Sequence, residues 1–225
     1  ARLGERSGVE AVGKLKRDVE ATLGARYADL VDTHARRLLP FDWPAHAFAE
    51  RLIGDVQQEF HDTFVDTTWP HCPAHPNHPL WFDDGVWRCD ASGAGFAALG
   101  DLGAMLFNDA IAGLRRGDFD RLAPLFRAPE GDRCLILRWH ADGAFVDHPE
   151  ELAEALSCAC FLGAETVVSS LVAVGVSPTD GTMTGLDGLH WAANRGQLET
   201  VRLLIALGAP LETINMHGTT VLGTA

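Results

Sequence analysis

"GLDGLHWAANRGQLETVRLLIALGAPLETINMH", residues 185–217, decides the fold. Shifted back by 33 residues, Gly196 falls on Gly163, Val201 on Val168, Leu204 on Leu171, Gly208 on Gly175, Leu189 on Leu156 and Ala192 on Ala159. Shifted forward by the same step, Gly185 falls on Gly218, Leu189 on Leu222 and Ala192 on Ala225. A period of this length, built from two short helices and a turn, signals units that stack on one another, because one unit alone cannot bury its apolar face. Leu189, Val201, Leu204 and Ile205 supply the stripe to be buried, and Ala192 and Ala193 let neighbouring helices approach closely. Gly196 and Gly208 permit the left-handed backbone that ends each helix.

The run "LHWAANRGQLETVRLLIALGAPLE" resembles the ankyrin repeat, with His190, Ala192, Ala193, Gly196, Val201, Leu204, Gly208 and Ala209 on the family's motif positions. Asp187-Gly188 stands where the family has Thr-Pro. Asp187 can still cap the helix, its carboxylate accepting from N–H groups of the first turn. The resemblance covers about residues 152–225, a preceding repeat having Ser157 at the histidine position and a following one reaching its first helix. "NDAIAGLRRGDFDRLAPLF" (108–126) reads as a further, degenerate repeat with an insertion behind it. The resemblance implies a short solenoid that binds a protein, as a scaffold, inhibitor or regulator. It also implies the contact positions: Met183, Thr184, Leu186, Asn194 and Arg195, then Met216 and His217 in the next turn. It gives His190 a structural role, bonding to backbone and steadying turns.

Ahead of the repeats, residues 9–38 read as helical with a break near Leu23–Gly24, and "PFDWP" (40–44) is a breaker. Phe48, Leu52, Val56, Phe60 and Phe64 then recur every four residues, predicting an amphipathic helix from Ala45 to about Val65. "PLWF-DDG-VWRC" has the form of a β-hairpin with Gly85 in its turn. "DASGAGFAALG" (90–100) reads as flexible and as a domain boundary. Residues 102–126 return to helical patterning, "CLILRW" (134–139) reads as a strand and "HADGAF" (140–145) as its turn. The expected fold is therefore mainly α. Its segments are a helical region at 1–68, a small zinc-binding hairpin at 69–90, a helical or degenerate-repeat segment at 102–151 with a strand-like insertion, and ankyrin repeats at 152–225.

The hairpin carries the chemistry. "WPHCPAHPNHPLWFDDGVWRC" (69–89) sets Cys72 and His75 on one turn, His78 three residues on, and Cys89 on the far strand. Two thiolates and two imidazoles suit tetrahedral Zn2+, and four donors so close in sequence favour a closed, structural site. His71 and His61 compete with His78 for the fourth position. Pro73, Pro76 and Pro79 stiffen the loop, and Trp69, Trp81 and Trp87 are placed to wall the site. The stretch resembles a zinc-ribbon knuckle, with only Cys89 in its second half. A Cys72–Cys89 disulfide is disfavoured by the odd total of five cysteines. The competing function is a zinc-dependent hydrolytic enzyme with Glu59 or Asp62 as general base, although no H-E-x-x-H or deaminase pattern occurs.

Charge narrows the partners. The chain has a formal net charge of −13, with 18 Lys+Arg against 31 Asp+Glu. Such a surface repels nucleic-acid backbones and anionic lipid and suits a basic protein partner. No apolar run reaches membrane-spanning length. No signal peptide is evident, which with the unpaired cysteine points to the cytoplasm, and the Arg-, Ala- and Gly-rich composition points to a bacterial source.

Overall fold

The computed structural model describes residues 3–75, 78–128, 132–181 and 183–224; Pro76 and Ala225 lie outside them. The chain forms two compact units that divide after Asn108. The described residues are mainly helical, with a small antiparallel sheet.

In the first unit, α1 (Leu3–Thr22), α2 (Ala28–Leu38) and α3 (Ala45–Asp62) pack pairwise. Gly24, at φ 111°, turns the chain between the first two. Each helix buries one face at helical spacing: Ala11, Leu15 and Val19; Val31, Ala35 and Leu38; Phe48, Leu52, Val56 and Phe60. The four-residue rhythm of α3 stops there. The helix ends at Asp62, and Phe64, expected on its apolar stripe, is exposed in a left-handed conformation (φ 56°).

The sheet consists of β1 (Leu80–Asp83), β2 (Val86–Cys89) and β3 (Gly95–Ala98), in that order. The hairpin has the expected register, Leu80 opposite Cys89 and Phe82 opposite Trp87, with Gly85 at φ 80° in its turn. The segment expected to be flexible instead supplies β3, Ala98 lying opposite Val86. Its glycines and alanines carry little strand propensity, so pairing with β2 decides its conformation. The hairpin is also no separate module. Trp69, Cys72, Leu80, Trp87 and Cys89 belong to the same buried cluster as the helices.

Asp18 of α1 fastens these parts. Its carboxylate accepts from Trp87 Nε1 (2.7 Å), the Gly100 N–H (2.8 Å) and the Leu102 N–H (2.9 Å), and it is fully buried. Leu102 begins α4 (Leu102–Arg116), and the division between the units falls within this helix.

The second unit continues through α5 (Phe119–Leu122), α6 (Leu135–Ala141), α7 (Pro149–Leu162), α8 (Glu165–Ala173), α9 (Gly188–Asn194), α10 (Leu198–Ala206) and α11 (Val221–Thr224). The strand expected at 134–139 is helix α6, with Ile136 and Trp139 buried three residues apart. An apolar run this short fits either periodicity, and here burial at helical spacing prevails. In the remainder, α7 packs on α8 and α9, α10 on α8 and α9, and α11 on α9. The matched helices α8 and α10 have nine residues each and begin 33 apart. Leu156 and Leu189, Ala159 and Ala192, and Leu171 and Leu204 are all buried, so matched positions have matched surroundings. Gly163 (φ 69°) and Gly196 (φ 70°) take the left-handed backbone the pattern requires.

Candidate metal centre and repeat surface

The turn after Trp69 closes on itself. The Cys72 N–H donates to His78 O (3.2 Å), His75 N–H to Cys72 O (3.2 Å) and His78 N–H to His75 O (2.9 Å). The hairpin pairing returns Cys89 beside this turn. Cys72 Sγ, His75 Nδ1 and Cys89 Sγ all lie within 4.8 Å of one another, a group that can hold a metal ion. His75 Nδ1 is 3.7 Å from Cys72 Sγ and 3.2 Å from Cys89 Sγ. Donors about 2.0–2.3 Å from a tetrahedral ion stand about 3.5 Å apart, so this spacing is of the size zinc requires.

Both thiols are free and buried. The Ser92 hydroxyl and N–H, with Cys72 and His75, hold the Cys89 thiol down at about 6 against desolvation. Burial pushes the Cys72 thiol up, as does its bond to Cys89, while the Ala74 and His75 N–H groups act the other way. One of the pair is thus readied as thiolate, the form that binds metal.

Of the candidate donors, three converge and the fourth does not. His78 is exposed, its ring centroid 6.4 Å from that of His75. His71 is turned to Asp66 (2.9 Å) and Thr68 (3.0 Å), and His61 to Asp62 (3.2 Å). Trp69 and Trp87 are buried and meet edge to face at 5.6 Å, whereas Trp81 faces outward, because successive strand residues alternate sides.

In the second unit, Asp187 caps α9 by accepting from the His190 N–H (2.9 Å). The same oxygen meets His190 Nδ1 (2.8 Å), and His190 Nε2 lies 3.3 Å from Thr219 O, so the buried imidazole steadies the following turn. That turn is a small hairpin. Ile214 bridges Thr220, and Asn215 Oδ1 accepts from the N–H groups of His217 and Thr219.

Residues 185–216 match the family model of the ankyrin repeat. No curated protein and no solved structure matches the chain.

Around this ankyrin repeat, the expected contact residues separate into two kinds. Met183 (43% exposed), Met216 (72%), His217, Asn194 and Arg195 face outward. Met216 lies against the bare Cα of Gly185, and its N–H bonds to Gly185 O (3.2 Å), joining successive turn tips. Arg195 stacks on the Phe161 ring at 4.4 Å. Thr184 and Leu186 are half-buried. Thr184 works inward: its N–H and hydroxyl bond to the buried Glu154, and its oxygen accepts from Trp191 Nε1 (3.1 Å). Glu154 was not among the expected site residues. An acid at the centre of an otherwise apolar helix, "LAEALSCAC", was the available signal.

No helix among the described residues is long and apolar enough to cross a membrane.

Proposed function

We propose that the chain is a non-catalytic protein-interaction module, a short ankyrin solenoid joined to an N-terminal unit that holds a structural zinc ion. The observation that carries the reading is the ankyrin repeat with its intact turn hairpin, which presents Met183 and Met216 on adjacent tips. Exposed methionines adapt to varied apolar surfaces and suit a contact hot spot. Met183, Leu186, Asn194, Arg195, Met216 and His217 form the contact set, with Thr184 holding the first tip in place. The net charge of −13 favours a basic protein partner over nucleic acid or an anionic membrane.

Cys72, His75 and Cys89 are the zinc donors supported by geometry, and His78, next along the same closed turn, is proposed as the fourth. Glu59 and Asp62, the general-base candidates of a hydrolytic reading, are turned elsewhere. Glu59 faces His34 at 3.9 Å, and Asp62 accepts from Gln58 at 2.7 Å. A cytoplasmic, bacterial setting fits the reduced thiols and the composition.

The test is affinity capture from a soluble extract with the wild-type chain and with a Met183→Glu/Met216→Glu variant, alongside circular dichroism. A protein retained by the first and lost by the second, at equal helicity, supports the reading. Identical capture by both chains refutes it.

A further inference from the structure

The two tryptophans that flank the thiol donors are also the side chains by which the finger grips α1. Trp69, three residues before Cys72, donates Nε1 to Thr22 Oγ1 at 2.8 Å. Trp87, two residues before Cys89, donates Nε1 to Asp18 Oδ2 at 2.7 Å. Asp18 and Thr22 are one helical turn apart, and the Thr22 hydroxyl donates back to Asp18 O at 2.7 Å. The grip therefore falls on the last turns of α1, beside the buried Leu15 and Val19. On the other side, Gln57 Nε2 of α3 bonds to Trp69 O (3.2 Å) and Leu80 O (3.0 Å), so the ligand turn is held from both helices.

An ion bonded to Cys72, His75 and Cys89 would fix the spacing of two chain segments, 69–75 and 86–89. Without one, the two segments are held by the hairpin pairing and by the core they share with the helices, and the free energy that metal binding adds to the fold is lost. Any parting of the segments moves Trp69 relative to Trp87, and both bolts to α1 then lose alignment together.

We propose that metal at Cys72, His75 and Cys89 controls the docking of α1: the loaded unit holds the helix, and the stripped unit releases it and uncovers Ala11, Leu15 and Val19. The inference rests on the zinc reading above and extends it from a local clamp to a switch acting on the helix that the two tryptophans hold.

The test is amide hydrogen exchange by mass spectrometry on the full chain, loaded with Zn2+, stripped with EDTA, and reloaded with Zn2+ alone. Metal per chain is measured on the same samples. The expected result is one zinc per loaded chain, with exchange in residues 10–22 faster by about tenfold or more after stripping and restored by zinc. If zinc binds at one per chain and exchange in 10–22 changes by less than about twofold, the switch is refuted while the zinc site stands. If no zinc binds, both fail. Thr22→Val supplies an independent arm, since it leaves every metal donor in place. It should still bind one zinc yet show faster exchange in α1, and unchanged exchange there would refute the coupling through Trp69.

Discussion

Replacing Asp18 tests how the first unit is held together. The buried carboxylate serves three donors, Trp87 Nε1 and the N–H groups of Gly100 and Leu102. Asp18→Ala strands all three. At about 1–3 kcal/mol for each buried donor left unpaired, less what an entering water recovers, the cost is about 3–6 kcal/mol. A unit of this size is stable by only about 5–15 kcal/mol, so the variant should unfold at far lower urea or not fold at all. Asp18→Asn keeps one accepting oxygen but turns an NH2 group toward a donor, and should lose about half as much. The assay is urea unfolding followed by tryptophan fluorescence, which reports Trp69 and Trp87 within the affected core. A loss below about 1 kcal/mol for Asp18→Ala would refute the account. The pH dependence gives a second check. Burial pushes the Asp18 carboxyl above its ordinary 3.8, and the three donors only partly offset this. An acid raised on folding contributes stability that is full below its unfolded value and is lost as pH rises through the folded value. Asp18→Asn should remove that decline in the window above 3.8.

In the second unit, the Thr200 hydroxyl is buried without a hydrogen-bond partner among the described residues, and the position 33 residues earlier is the buried Val167. Thr200→Val should therefore stabilise the second unit by about 1 kcal/mol, read as a higher denaturation midpoint at unchanged slope. His190→Leu removes the contacts to Asp187 and Thr219 O together. It should destabilise by about 2–4 kcal/mol and raise exchange in the 214–220 hairpin, and retained protection there would count against the role given to the imidazole.

Much of the second unit was legible because its signals are local. Gly163 and Gly196 mark helix ends by a backbone conformation other residues avoid, and Asp187 caps α9 whatever lies beyond it. The hairpin turn at Asp84-Gly85 was readable for the same reason. Segments whose conformation depends on distant partners were not. Residues 95–98 are a strand only because β2 lies beside them, and 135–141 are a helix because Ile136 and Trp139 have a core to enter. At the candidate metal centre, spacing singled out Cys72, His75 and Cys89, which the hairpin register brings together as a group that could hold an ion. It could not rank the imidazoles, since His71 is claimed by Asp66 and His78 faces outward. Asp18 was missed, although an acid beside Leu15 and Val19 on an apolar face was its visible mark.

Ser157 and His190 occupy matched positions, and each sends a polar group forward: Ser157 Oγ donates to Gly181 O at 2.9 Å, and His190 Nε2 approaches Thr219 O. Different chemistry thus makes the same stitch at two positions 33 residues apart. Segments tied in this way should not melt singly; a denaturant should meet one sharp transition across residues 149–222.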